Sequence, residues 1–433
     1  MIKIVKNVTI VPMTHEVTFW GAVAFEDGKI IMVSQGNQEA DRFIEELNGD
    51  VEVIDGKGGI LLPGFINLHN HVSMTLLRSY ADDIPLMPWL TEKIWPVEDK
   101  MTPEHIYVGA KLGIAEMLLG GTTTFVDMYA SEDMVAKAGV ELGMRTVLGL
   151  AFLDQSFPYF EAFAEKLIEK YGKENGLVSL TMSPHAPYTC SPETLEKAVA
   201  FAKKHNLMVH THLSETETEI KQIRERYDKT PVEYFRDLGL FDQKTIAAHC
   251  VYLEDSDMKI MRDYGVSVSH NPQSNMKLGS GIAPVKKMMD YGINVGLGTD
   301  GPSSNNDLDM WEEMRSASFL QKVVALDPTI LPAYEILKMA TVNGAKALNR
   351  DDLGTIAVGQ TADFMIIDTS KPHFFPCHDV IANLVYCGKA SDVDTVFVNG
   401  KMVVRSKELM GDNLSNIYNQ VQCAINELEI AED

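Results

Sequence analysis

Several histidines of this chain fall where an apolar, strand-like run ends. The first run closes on Asn67-Leu68-His69-Asn70-His71. Strand side chains alternate faces, so His69 and His71 point the same way and can reach one ion. The H-x-H spacing alone is only moderately specific, because it recurs by chance. Other runs repeat the arrangement. One ends Val209-His210-Thr211-His212, and another ends Ala247-Ala248-His249. Two more are followed by Pro184-His185-Ala186 and Thr299-Asp300-Gly301. Each histidine taken singly is more simply a satisfied packing residue. Packing does not explain their joint placement at successive strand ends, and a metal site does. Three histidines, one aspartate and a water make a site that suits zinc. Iron(II) and manganese are compatible by ligand type. Bound zinc brings the pKa of its water to about 7, so hydroxide becomes available at neutral pH. Glu215 lies three residues beyond His212 and can reach the same cavity. It reads equally well as a surface glutamate opening the next helix, where the dipole favours acids.

Such a site needs elements that bring distant strand ends together. Eight strand candidates occupy Gly64-His69, Thr122-Asp127, Arg145-Phe152, Val178-Ser183, Met208-His212, Thr245-His249, Val266-Ser269 and Asn294-Leu297. Helical patterns such as Pro103-Leu119, Pro192-His205 and Ala283-Tyr291 lie between them. This alternation predicts a (β/α)8, TIM-like barrel over residues 63–355, with its chemistry at the carboxyl ends of the strands. A doubly wound open sheet has less support, since no G-x-G-x-x-G follows the first strand. Residues 1–62 carry short Val-, Ile- and Thr-rich runs at Ile2-Ile10, Val17-Phe25, Lys29-Ser34 and Val51-Asp55. The same texture returns over residues 356–433, in Ala362-Ile367 and Thr395-Val404, with Asn399-Gly400 as a hairpin turn. The two ends are therefore expected to form one small β-sandwich domain, followed by an amphipathic helix over 414–430.

Composition bounds the partners. The 433 residues are 45% apolar and 23% charged, a globular balance. The net charge of −23, from 61 acidic against 38 basic residues, opposes binding to nucleic acid and to anionic membranes. Cys190, Cys250, Cys377, Cys387 and Cys423 are odd in number and form no C-x-x-C pair. That argues against a disulfide framework or a cysteine zinc cluster and for a reducing cytoplasm. No apolar run approaches a membrane span, and the start reads as a strand and not as a signal peptide.

Together these motifs resemble the amidohydrolase superfamily, and within it the 5-methylthioadenosine/S-adenosylhomocysteine deaminases, near guanine deaminases and triazine hydrolases. The resemblance is carried by Leu62-Pro63-Gly64-Phe65-Ile66-Asn67-Leu68-His69-Asn70-His71 and Met74-Thr75-Leu76-Leu77-Arg78. Met182-Ser183-Pro184-His185-Ala186-Pro187-Tyr188, His212-Leu213-Ser214-Glu215-Thr216 and Ala248-His249-Cys250 extend it. The run from Ser269 to Gly279 and Gly298-Thr299-Asp300-Gly301 complete it, so that it spans essentially the whole chain.

The resemblance implies that His69, His71, His212 and Asp300 hold one zinc, and that His249 steers the attacking hydroxide instead of binding metal firmly. Strand four ends without a lysine, so a two-metal site bridged by a carbamylated lysine is not expected. Asp300 would accept the water's proton. Glu215 would protonate the purine N1 while C6 is attacked, and ammonia would leave. His185 would hydrogen-bond another ring nitrogen. In the loop after strand one, Trp89 would pack on the substrate and Glu98 would hold the ribose hydroxyls. The plain alternatives are a core tryptophan and a helix-start glutamate. His270 reads as structural. The expected partner is a small nucleoside, and the expected assembly is a homo-oligomer.

One departure bears on specificity. The resemblance calls for arginines after strand three to clamp an amino-acid carboxylate. The stretch from Val147 to Phe160 contains none and is apolar and aromatic. Substrates with an uncharged 5′ group, methylthioadenosine or adenosine, are therefore expected over S-adenosylhomocysteine. Two rivals remain at this point: a guanine, cytosine or triazine hydrolase of the same superfamily, and a catalytically inactive barrel serving assembly.

Overall fold

The structure is a computed structural model that describes residues 1–46, 51–154, 156–171 and 176–429. Among these, eight parallel strands hydrogen-bond in chain order. They are Phe65–Asn70, Thr122–Tyr129, Arg145–Phe152, Val178–Pro184, Met208–Leu213, Thr245–His249, Ser267–His270 and Asn294–Leu297. All eight expected barrel strands are present, each within about two residues of its expected ends. Helices lie between them, and their starts follow ordinary capping chemistry. Thr102 caps Pro103–Leu119 and Ser191 caps Pro192–His205, each with proline in the first turn. The helix expected over Ala283-Tyr291 is shorter, Val285–Asp290, because Pro284 stands at its cap.

The barrel closes through a side chain as well as backbone. Asn67 of the first strand donates from Nδ2 to the Thr299 hydroxyl at 2.7 Å and accepts the Thr299 N–H at 3.1 Å. Asp300 N–H reaches the His69 carbonyl at 3.0 Å. The seam between strands one and eight is thus drawn tight at its carboxyl end. Deeper in the barrel, Ile66, Leu68, Val126, Val147 and Ile246 pack against Ala345, Leu348 and Leu353. This apolar plug fills the amino-terminal mouth, so the polar strand ends have a dry floor.

Both chain ends supply a second, nine-stranded mixed sheet. Its Ile60–Pro63 strand pairs with Ile2–Ile10 on one side and with Phe364–Ile367 on the other. The sheet folds onto itself in the manner of the expected sandwich. Phe25 packs edge-on against Phe364 at 5.3 Å and Phe397 at 5.2 Å. The Asp27-Gly28 and Asn399-Gly400 turns touch, and a Cβ on Gly28 (φ +79°) would lie 2.6 Å from Asn399 Oδ1. The hairpin expected at Asn399-Gly400 joins Val393–Val398 to Lys401–Arg405. The terminal helix runs Leu414–Leu428, and residue 430 lies outside the described residues. The sequence reading omitted the short helix Gln38–Glu46, where only Ala40 is buried. Among the described residues no helix is long and apolar enough to cross a membrane.

Candidate active site

The residues singled out at the strand ends meet at one point. One donor atom each from His69, His212, His249 and Asp300 lie within 4.8 Å of one another, and all four residues are buried. His71 joins them: its Nε2 is 3.2 Å from Asp300 Oδ1 and 3.3 Å from His212 Nε2. His69 Nε2 lies 3.3 Å from the same carboxylate oxygen and has no hydrogen-bond partner among the described residues.

The second nitrogen of each ring explains the convergence. His71 Nδ1 donates to the Met128 carbonyl at 2.6 Å, and His212 Nδ1 to the His185 carbonyl at 2.7 Å. In its neutral form each ring therefore presents Nε2 inward as a lone pair. His69 Nδ1 lies 2.9 Å from His210 Nε2, which fixes the third ring in the same sense. Three outward-anchored imidazoles and a carboxylate oxygen facing one point suit a divalent metal ion. Asp300 is itself anchored. Its Oδ2 accepts the hydroxyls of Ser274 at 2.6 Å and Ser304 at 2.9 Å, and its Oδ1 accepts the Gly301 N–H at 2.8 Å.

His249 differs from the three rings just described. Its Nδ1 is 2.8 Å from Asn275 Oδ1, an acceptor, so that nitrogen carries a proton and Nε2 faces the other donors. That Nε2 stands 3.9 Å from Asp300 Oδ2 and 4.0 Å from Glu215 Oε2. Glu215 is 6% exposed, which removes the surface reading of this residue. Burial pushes its carboxyl up from the ordinary value, while His249 pulls it down. A buried carboxyl and a buried imidazole thus sit side by side next to the metal donors.

The remaining expected residues line the surroundings. Burial lowers the His185 ring to about 3, so it stays neutral; its Nδ1 is 3.1 Å from the Thr189 hydroxyl. Glu98 lies in the loop after strand one and is bonded to the Tyr129 hydroxyl at 2.5 Å. Trp89 is 5% exposed and packs with Met74, Leu77, Leu90, Ile94 and Val97 in a small cluster of that loop. Its indole N–H has no partner among the described residues. His270 is fully buried beside the site, with its carbonyl accepting the Gly298 N–H. His105 caps a helix and reaches Glu427 at 3.0 Å, remote from the chemistry.

Sequence reasoning missed the anchoring shell: His210, Asn275, Ser274, Ser304 and Tyr129. His210 carried a signal, being the partner of His212 in His210-Thr211-His212. The others are polar residues at ordinary positions, and only tertiary contact reveals them.

Comparison with known proteins agrees with this geometry. The amidohydrolase family matches over residues 60–403. A 5-methylthioadenosine/S-adenosylhomocysteine deaminase of Desulfitobacterium hafniense is 46% identical over 427 residues, covering 98% of each chain. Another, from Pelotomaculum thermopropionicum, is 48% identical over 372 residues, covering 85% of this chain and 86% of its own. Among solved structures, an adenosine deaminase from Xanthomonas campestris with bound zinc superposes with a TM-score of 0.93 at 33% identity, covering 99% of both chains. A zinc-bound atrazine chlorohydrolase from Arthrobacter aurescens, 24% identical with a TM-score of 0.88 over 98% of this chain and 100% of its own, shares the fold. With a matched segment that runs from the Ile60–Pro63 strand through the barrel into the returning sheet, the chain belongs to the amidohydrolase family.

Proposed function

We propose that this protein is a zinc-dependent hydrolytic deaminase of adenosine-type nucleosides, which replaces the 6-amino group by a 6-oxo group and releases ammonia. The observation that carries this reading is the meeting of Glu215 and His249, 4.0 Å apart, beside the buried histidine–aspartate donor set. The resemblance to deaminases at 44–48% identity supports it.

In this reading His69, His71, His212 and Asp300 hold the metal, which when bound supplies a water acidic enough to attack at neutral pH. His249 Nε2 would accept a hydrogen bond from the attacking water and aim it. Asp300 would take the water's proton on a carboxylate already oriented by Ser274 and Ser304. Glu215, whose carboxyl burial shifts upward, would give its proton to N1 of the purine as C6 becomes tetrahedral. The proton held by Asp300 would then pass to the amino group, which leaves as ammonia, while the C6 hydroxyl becomes the oxo group and its proton returns to Glu215. His185 faces the ring as a neutral hydrogen-bonding partner, and Glu98 meets the ribose. Trp89 contributes the packed wall of the loop. The five free cysteines are in keeping with a reducing cytoplasm.

An ammonia-release screen tests this. Adenosine, 5′-deoxyadenosine, methylthioadenosine and S-adenosylhomocysteine are offered beside guanine and cytosine, with metal content measured on the same sample. Turnover of adenosine derivatives with about one zinc per chain is expected. Turnover of guanine or cytosine alone would replace the nucleoside reading with a base hydrolase. Metal below half an equivalent and no turnover would point to an inactive barrel.

A further inference from the structure

A carboxylate behind the site clamps the turn that carries Glu215. Glu219 is 2% exposed. Its Oε1 accepts the Ser214 N–H at 2.7 Å and its Oε2 accepts the Glu215 N–H at 2.8 Å. Ser214 is left-handed, with φ of 52°. That conformation lets two successive N–H groups point to one anion, forming a nest.

The same turn is held from its other side. The Ser214 carbonyl accepts the N–H groups of Val251 and Tyr252, both at 2.9 Å, and Leu213 accepts Cys250 N–H at 3.0 Å. These residues leave strand six directly after His249, where His249 and Cys250 also have positive φ, 72° and 49°. One strained corner thus joins the backbone of Glu215 to the backbone of His249, and Glu219 grips that corner.

Ordinary helix capping does not account for this. Glu219 is the third residue of helix Glu217–Tyr227, whose cap Thr216 accepts the Glu219 N–H at 3.2 Å. In a capping box that glutamate returns to the N–H of the cap itself. Glu233 does so in this protein, bonding the Thr230 N–H at 3.0 Å. Glu219 instead reaches past Thr216 to the two residues before it.

We infer that Glu219 is a positioning residue for the deamination, holding the Ser214-Glu215 turn so that the Glu215 carboxyl and the His249 ring keep their spacing. The inference rests on the proton-donor role proposed for Glu215. Glu219 touches no reacting atom and acts through Glu215. Its amide replacement would turn an NH2 group toward one of the two N–H donors and break half of the clamp.

The test uses the full-length, metal-loaded enzyme with Glu219→Gln, Glu219→Asp, Glu215→Gln, the Glu215→Gln/Glu219→Gln double variant, and Glu233→Gln as a capping control. Glu219→Gln should lower kcat on methylthioadenosine by about 100-fold, the scale of a slightly misplaced catalytic group. KM and metal content should stay near the parent values. Glu233→Gln should leave kcat unchanged. The double variant should be no slower than Glu215→Gln alone, because a clamp acting only through Glu215 has nothing left to lose. Should Glu219→Gln fail to fold, Glu219→Asp, which keeps the charge and shortens the reach, carries the same comparison. A parental kcat in the folded Glu219 variant, or penalties that multiply in the double variant, would overturn the inference. If Glu215→Gln itself turns over normally, the proton-donor reading falls and takes the inference with it, whereas a slow Glu215→Gln beside a parental Glu219→Gln overturns the inference alone.

Discussion

His69 Nδ1 lies 2.9 Å from His210 Nε2, and both rings are fully buried. His71 and His212 lean on backbone carbonyls, which no substitution of a side chain removes. His69 leans on a side chain, so its orientation can be tested directly. His210→Phe keeps a ring in the space and deletes the acceptor. Metal affinity should fall about 10- to 100-fold, the usual cost of losing such an outer partner. Competition with a chromogenic chelator measures it, and His210→Gln, which can still accept, should recover part of the loss. Equal affinity in parent and His210→Phe would remove the orienting role.

Glu98 and the Tyr129 hydroxyl share a 2.5 Å hydrogen bond. Burial pushes the Glu98 carboxyl up and the tyrosine pulls it back down. If Glu98 meets the ribose, Glu98→Gln loses the charge of a paired acceptor, worth about 1.5–3 kcal/mol. The kcat/KM on methylthioadenosine should then drop about 10- to 100-fold by the same arithmetic, with stability little altered. Nucleoside turnover that is indifferent to Glu98→Gln would move the assignment toward a free base.

The chemistry was legible where it lay on strand ends. His69, His71, His212, His249 and Asp300 stand at the carboxyl ends of runs whose period and boundaries are strong signals, so fold and site emerged together. The Asn399-Gly400 turn was legible for a similar local reason. Glu215 was ambiguous, since its spacing fits both a helix start and a cavity, and only its burial decides. Asn275 and Ser274 were not singled out, because each meets a residue 26 positions away, and Ser304, four residues from Asp300, is unremarkable in type. Helix Gln38–Glu46 was missed because it buries one alanine and so has almost no core face to read.

Arg145 and Asp363 form a buried pair, 4% and 3% exposed, with bonds of 3.0 and 3.2 Å. Arg145 begins the third barrel strand and Asp363 precedes a strand of the second sheet, so the pair joins the two parts. Asp363 also accepts the Asn399 N–H at 2.6 Å. Removing one partner strands a charge, which costs about 3–5 kcal/mol. Arg145→Met should lower the Tm by several degrees while kcat at 25 °C holds, since the pair sits at the amino end of the strand. Denaturation followed by circular dichroism checks the first outcome; a parental Tm would show that the pair is not needed for stability.

The segment after strand three supplies no arginine and carries the acidic Asp154 instead, while Phe152 and Phe160 pack at 4.8 Å between ring centres. Gln155 and the side chains of Phe157 and Pro158 lie outside the described residues. Methylthioadenosine and adenosine should exceed S-adenosylhomocysteine in kcat/KM by about 10-fold or more, the worth of one missing charge-assisted hydrogen bond. Steady-state rates on the three substrates decide it, and a clear preference for S-adenosylhomocysteine would sink the expectation.

The strand Ile60–Pro63 pairs on one edge with residues 9 and 10 and on the other with residues 364–367. During synthesis the first edge is covered at once, and the second stays bare until the whole barrel has left the ribosome. A nascent or truncated chain therefore carries an open, apolar strand edge of the kind that recruits other chains. The last strands of the sheet act as a late seal, and chaperone demand should be greatest just before they emerge.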